Sequence, residues 1–524
     1  MFLAAGLTAA PLLVVFSAFL TPADDVWRHF ADTILGEILF NTFALAVGVG
    51  VGCALIGVGL AWLIAVCDFP GRRFFDWALL LPLAVPAYVT AFVVIGLLDF
   101  SGPVQTALRE LTGSSLRWFP QIRSRGGAIV VLTLALYPYV YLLARNAFST
   151  QGRRMLEAGR VLGLTSRGAF FRVALPMARP WIAAGLALVL METLADFGAV
   201  AAFNYDTLTT GVYKAWYALF SLPAASQVAS LLVLVAFLVL ALEQTTRART
   251  LFTPAHGSGP GQRVRLSGWQ AWCATAACGV VLLAAFGLPL FQLVLWTATY
   301  GAQDFDVRYL GYVWHSVLLA SVAALTVCAL AVGLAFAGRR DTRPAARLAV
   351  RIATLGYAVP GAVLAVGIFM AFGWVDALLP LWLRTLTGAQ PGALLQGSVV
   401  AMILAYVVRF LAVGFGPIDS AFHRVTRNVE EAAISLGASG WRLLARVHLP
   451  MLRGGLATGA ILVFVDVMKE MPITLMSRPF GWDTLAVRIF ELTSEGQWQQ
   501  AALPAVVLVA TGILPVMRLA RQAG

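Results

Sequence analysis

The chain has 524 residues, 60% hydrophobic and 12% charged, with a formal net charge of +12. A soluble chain carries about twice that charged fraction, so a water-soluble globular protein is excluded and a polytopic membrane protein is expected. The positive charge is almost all arginine, placed in segments between apolar runs and not in an aromatic-interleaved stripe, which argues against a nucleic-acid surface.

Taken in chain order, the first apolar run, 2–20, has no basic leader and recurs later, so it is expected to be a span and not a cleaved signal. Five further spans are expected near 40–66, 77–98, 127–147, 180–203 and 222–242. Several of these runs reach the roughly 20 residues a membrane-crossing helix needs. Residues 246–268 follow, with Thr253-Pro254, Gly257-Ser258-Gly259-Pro260 and four arginines, the composition of a linker. Six more spans are expected near 273–296, 314–337, 350–373, 397–416, 454–477 and 500–519. Cys53, Cys67, Cys273, Cys278 and Cys328 lie in or beside these runs without a CxxC pair and are expected to be small buried hydrophobes.

The two sets of spans are a duplication. At a constant offset of 274, Ala84-Val85-Pro86 falls on Ala358-Val359-Pro360, and Asn41-Thr42 falls on His315-Ser316. Residues 157–180 fall on 431–454 with ten identities. The fold expected is therefore all-α, about twelve transmembrane helices in two six-helix repeats: 1–245, then the linker, then 269–524. An even number of spans per half makes the repeat parallel. The stretch between spans four and five holds Arg145, Arg153, Arg154, Arg160, Arg167, Arg172 and Arg179 against Glu157, whereas the loop after span one holds Asp24, Asp25, Asp32 and Glu37 against Arg28. The arginine-rich side is expected to be cytoplasmic, as are both termini. Loop 99–126 runs against this bias, since Arg109, Arg117, Arg123 and Arg125 fall outside by parity.

The arginine-rich stretch carries a repeated pattern: Glu157-Ala158, Gly163, Leu175-Pro176, and again Glu431-Ala432-Ala433, Gly437, Leu449-Pro450. It predicts a short helix, a glycine break, and a second helix stopped by Leu-Pro ahead of the next span. This spacing resembles the EAA loop of permease subunits of ATP-binding-cassette importers, with Gly159 departing from the second alanine. The resemblance implies the type I permease fold and a helical elbow that docks on a separate ATPase dimer. A phosphate-cradling loop needs Gly-Lys, but Lys214 and Lys469 follow Tyr213 and Met468. The chain is thus expected to bind no cofactor and to be no enzyme, with ATP used by the partner.

The fifth spans carry acids: Glu192 and Asp196 in one, Asp466 and Glu470 at the matching positions of the other. An i, i+4 spacing puts each pair on one helix face. Acids near mid-membrane cost about 3 kcal/mol each on insertion scales, so they need polar surroundings. Two readings stay open: a lining for a cationic substrate, or a structural network with Lys469 or a buried arginine, or near the rim. Tyr137, Tyr139 and Tyr141 add phenolic oxygens to the first reading, although packing is the plainer use of an aromatic residue.

The runs Met191-Glu-Thr-Leu-Ala-Asp-Phe-Gly198, Thr209-Thr-Gly-Val-Tyr213, Lys469-Glu-Met-Pro472 and Asp483-Thr-Leu-Ala-Val487 resemble ferric iron importers most among fused permeases. That resemblance implies a bacterial inner-membrane protein to which a periplasmic binding protein delivers Fe³⁺. Hard oxygen donors are compatible with that ion. Thiamine, polyamine, sulfate and phosphonate permeases share the class. An ion-gradient-driven transporter is a rival, but has no use for two such elbows. A membrane enzyme is disfavoured by scattered histidines and the lack of HExxH or GxSxG.

Overall fold

The computed structural model describes residues 1–20, 25–113, 118–149, 163–248, 263–341, 343–387 and 394–523. Most of the expected linker lies outside these residues. Its end, Val264–Arg265, pairs in parallel with Cys67–Asp68 at the foot of the second span. Apart from that two-residue pairing, the regular structure among the described residues is helical. Among the described residues ten helices are long and apolar enough to cross a membrane, and the bent pair Gly440–Met451 with Arg453–Lys469 makes an eleventh if it is one span. The remaining expected span falls on Ala502–Ala523, whose apolar stretch, Ala502–Met517, is shorter.

The 274-residue offset persists in the backbone. Short 3₁₀ turns occupy Leu81–Ala84 and Leu355–Ala358, both ahead of a Val-Pro step. These turns split the third spans expected as continuous over 77–98 and 350–373. The observed helices are Arg72–Ala78 with Ala87–Leu98, and Pro344–Ala353 with Gly361–Thr387. A proline lacks the N–H that would continue the ladder, so Pro86 and Pro360 start new helices. Ser124 and Ser398 each cap the fourth span by accepting an N–H three residues on, from Gly127 and Ala401. Thr42 and Ser316 play another matched part, their hydroxyls accepting the N–H of Leu208 and Leu485 at 2.9 Å. The offset there has grown to 277, because the loop before Leu485 is three residues longer.

Two compact units make up the chain, and they are not its contiguous halves. One comprises Met1–Thr33, Gly211–Val233 and Gln303–Glu491. In it the first helix, Phe2–Ser17, packs on Pro344–Ala353 and Gly361–Thr387 of the second repeat. Thr8 donates to the Ala353 carbonyl there, and Ser230 donates to the Val15 carbonyl. The other unit comprises Ile34–Thr210, Leu234–Ala302 and Leu492–Gly524. Here Trp269–Leu282, which opens the second repeat, packs on Arg72–Ala78 of the first, and Thr275 donates to the Pro70 carbonyl. Each repeat's opening helix thus completes the bundle of the other.

Inside each unit the same three helices cross: Gly36–Val66, Arg125–Ala147 and Leu175–Ala195 in one, Val307–Arg340, Val399–Arg424 and Arg453–Lys469 in the other. Along Gly36–Val66 one stripe (Phe43, Val47, Val51, Leu55) is exposed, while Leu45, Val49 and Cys53 are buried. An exposed apolar stripe at helical spacing suits lipid, which is as apolar as leucine and offers nothing to bond the backbone. Cys273 departs from the expectation for cysteines, being exposed, whereas the other four are buried.

Glycine sets the approach of the fourth and fifth spans. A Cβ on Gly185 would sit 2.9 Å from Val140 Cα, and one on Gly459 would sit 3.0 Å from the Gly414 carbonyl oxygen. Both contacts are with backbone, which cannot swing aside. Gly185→Ala is expected to destabilise the detergent-solubilised protein by about 1–3 kcal/mol. Gly59→Ala, where nothing lies within 4 Å, is expected to be neutral or to stabilise by about 0.5–1 kcal/mol. Thermal unfolding of the two variants side by side checks the contrast.

Candidate functional site: two elbows and a broken fifth span

In the second elbow, the helix Arg427–Ser435 carries Glu431 and Ala432 exposed and Ala433 half-buried. The helix stops at Gly437, whose φ of +82° lies in the left-handed region. Glycine alone enters that region without a Cβ penalty, so the reversal of the chain is fixed by residue type. In the first elbow Gly163 has φ +79°, in the same place relative to the repeat. Glu157 and Ala158 lie outside the described residues. Around Gly437, Ile434, Leu436 and Trp441 are 53%, 88% and 72% exposed, a cluster of large apolar side chains around a polar turn. Such a cluster is what a protein interface needs and an isolated loop does not.

The Leu-Pro pairs do not end the second helix of the elbow, as the sequence had suggested. A π-helical turn precedes each, at Phe170–Ala174 and Leu444–His448. Leu175 and Pro176 then open Leu175–Ala195, and Leu449 and Pro450 open Leu449–Met451. A proline in the first turn of a helical segment removes an N–H that this turn leaves unused, so the chain continues through it. In the second half the change of direction falls two residues later, a 78° bend between Met451 and Arg453.

Each fifth span also ends sooner than expected. The helices stop at Ala195 and Lys469, not at 203 and 477, and the next residues, Asp196 and Glu470, have extended ψ values of 128° and 115°. The i, i+4 acid pairs therefore do not share a continuous helix face. Asp196 Oδ1 instead accepts the N–H groups of Ala199 and Val200 at 3.0 and 3.1 Å, capping the short helix Gly198–Ala202. Glu470 Oε1 accepts from Ile473 at 3.1 Å and caps Pro472–Ser477. An acceptor at a helix start satisfies N–H groups that have no intrahelical partner, and here it does so where the chain breaks. Glu470 is also 3.4 Å from Arg409, both side chains under 10% exposed. Glu192 and Asp466 sit within the helices, four residues before the break.

Two copies of one bundle, each with a glycine-reversed elbow ahead of a broken fifth span, find their counterpart among known proteins. Residues 55–248 and 329–523 each match the family described as binding-protein-dependent transport system inner membrane component. The chain belongs to that family. It is an importer permease with two permease domains in one multi-pass inner-membrane polypeptide. It is 25% identical, over 93% of its length and 90% of the relative, to the Fe(3+)-transport system permease protein FbpB 2 of Haemophilus influenzae. It is also 27% identical, over 34% of its length and 77% of the relative, to the molybdenum transport system permease protein ModB of Escherichia coli K12.

The permease uses its tyrosines mainly as props. Tyr137 is fully buried and donates to the Leu79 carbonyl at 2.9 Å; Tyr141 donates to the Asp76 carbonyl at 3.0 Å. Both brace the fourth span of the permease against the segment around Arg72–Ala78. Tyr139 is half-buried and packs on the same core. Among the described residues no group of three or more His, Cys, Asp or Glu side chains is placed to hold a metal ion.

Three of the four arginines of loop 99–126 are engaged, and Arg117 lies outside the described residues. Arg109 donates to the Phe100 carbonyl and lies over the Phe100 ring, Arg123 pairs with Asp99, and Arg125 donates to the Tyr205 hydroxyl. Guanidiniums engaged in this way form part of the loop's own structure, so they need not follow the loop-charge bias. Sequence reasoning missed three functional candidates in the permease: Arg339, Glu430 and Arg409. Glu430 stands beside Glu431 of the elbow motif, and only the first of the two turns inward, to pair with Arg339 at 2.6 Å. Residue order alone carries no sign of which of two adjacent acids turns inward.

Proposed function

We propose that this permease imports ferric iron across the bacterial inner membrane, driven by a dimer of ATPase subunits docked on the two elbows. A periplasmic binding protein hands the ion to the outer face. The observation that carries the elbow assignment is the pair of left-handed glycines, Gly163 and Gly437, at one position of a twofold repeat. The arginine-rich stretches face the cytoplasm in this reading, with both termini, by the loop-charge rule. Binding of ATP closes the ATPases and draws both elbows together, which turns the bundles outward; hydrolysis returns them. The loaded binding protein favours one of these states, and through that difference alone it can shift the balance.

Iron as the cargo is supported by the ferric relative that spans 93% of the chain and by the oxygen-rich character of the acids near the break. Fe³⁺ is a hard cation and takes carboxylate oxygens readily. Asp196 and Glu470 line the route in this reading while also capping their helices, with Glu192 and Asp466 one turn away. Uptake of radiolabelled ferric iron by cells making the permease and its partners is expected to exceed that of cells lacking it. Asp196→Asn with Glu470→Gln, made in an Arg409→Met background so that no guanidinium is left buried alone, keeps an acceptor at each cap and is expected to reduce uptake at unchanged membrane abundance. Molybdate or thiamine uptake in place of iron would overturn the cargo, and iron uptake unchanged in that variant would remove the acids from the route.

A further inference from the structure

The second elbow is fastened to its bundle by residues outside the repeated motif. Arg339, in the last turn of Val307–Arg340, places Nε 2.6 Å from Glu430 Oε1. Its terminal nitrogens donate to the carbonyls of Phe422, at 2.8 Å, and Val425, where the fourth span ends. One guanidinium therefore holds the ends of two spans and the helix Arg427–Ser435 together. The same Glu430 oxygen lies 3.5 Å from His448 Nε2. His448 closes the π turn and is 1% exposed, its ring packed by Phe336 and Phe422 at centroid distances of 5.6 and 5.1 Å. Glu430 thus stands between the segment entering the elbow and the segment leaving it.

The first half carries none of these residues. At the positions 274 earlier stand Ala65, Leu156 and Ala174. There Arg145, in the last turn of the fourth span, pairs with Asp76 at 2.8 Å, which ties that span to the short helix Arg72–Ala78; residues 150–162 of the first elbow lie outside the described residues. A planar guanidinium that makes several directed bonds at once loses them together if it turns, so it is a stiff fastening where a lysine would be a loose one. Stiffness matters at this place, because a surface helix joined to its bundle only through a glycine reversal would swivel under load and leave the bundle behind.

We infer that Arg339, Glu430 and His448 form a latch that makes the second elbow a rigid extension of the second and fourth spans. The three are positioning residues, acting through the spans they hold. The inference rests on the reading of the chain as an ATP-driven importer. Spin labels on Asn428 in the latched helix Arg427–Ser435 and on Leu325 in the second span, both exposed, read the latch directly in the assembled transporter. The native chain is expected to give one narrow distance that does not change with ATP and vanadate. Arg339→Gln is expected to broaden it and to lower ferric-iron uptake about tenfold while ATP hydrolysis stays within about twofold, with Arg339→Lys in between. Glu430→Gln is read in the same way should Arg339→Gln fail to reach the membrane. A native distance that shifts with ATP, or variants with native distance and native uptake, would overturn the latch. A native chain that supports neither ATP hydrolysis nor uptake would instead refute the importer reading, and the distance widths would still decide whether the latch exists.

Discussion

Gly437→Pro is expected to abolish uptake while leaving the amount of permease in the membrane unchanged. Proline fixes φ near −65°, and Gly437 sits at +82°, so the elbow cannot keep its path. The substitution also removes the N–H that Gly437 donates to Ile434 at 2.9 Å. No heavy atom lies within 4 Å of a Cβ built at this position, so the damage is to the direction of the chain and not to packing. Gly437→Ala separates the two: it fits the space, carries a left-handed strain of about 1–2 kcal/mol, and is expected to retain part of the activity. Gly163→Pro, at φ +79° and equally open, is expected to match Gly437→Pro. Uptake measured against membrane abundance checks all three, and normal uptake in either proline variant would remove the elbows from the mechanism.

The second large effect belongs to stability. Arg409→Ala is expected to destabilise the permease by about 3–5 kcal/mol, because it leaves Glu470 buried beside no guanidinium. Arg409 also donates to the Val359 carbonyl at 3.2 Å. The pair is packed so closely that a Cβ on Gly361 would come within 2.7 Å of the Glu470 carboxylate. Arg409→Met combined with Glu470→Gln keeps the cap on Ile473 and removes both charges, so most of the loss is expected to return. The first half supports this expectation, having Ala135 at the matching position and an Asp196 that caps its helix by accepting two N–H groups. Thermal unfolding of the single and double variants measures the recovery; equal losses in both would show that the ion pair is not what matters there.

The features legible in the sequence are those that one residue type or one period dictates. Gly163 and Gly437 announce themselves because only glycine accepts their φ, and the 274 offset announces a repeat because identical chemistry recurs at a constant distance. Span existence follows from the length of apolar runs. Span endings do not: Phe197-Gly198-Ala199-Val200-Ala201 is as apolar as the helix before it, and the break there is marked only by Asp196 turning forward to cap the next turn. Leu-Pro signals a stop because a proline usually is one, yet a π turn ahead of it brings the proline to a place where its missing N–H does no harm. Partner choice among spans was not legible at all. An apolar face packs against lipid or against any helix at similar cost, so nothing in 2–20 tells that it belongs with 344–387.

That last pairing bears on how such a protein can be divided. A chain cut in the segment between the repeats would give two polypeptides, each holding the opening helix that the other needs to cover its bundle. Neither product could complete a folded body alone, so separate genes for the two parts would have to be translated together and their products would have to exchange those helices during insertion. Fusion makes that exchange intramolecular and fixes the stoichiometry at one to one.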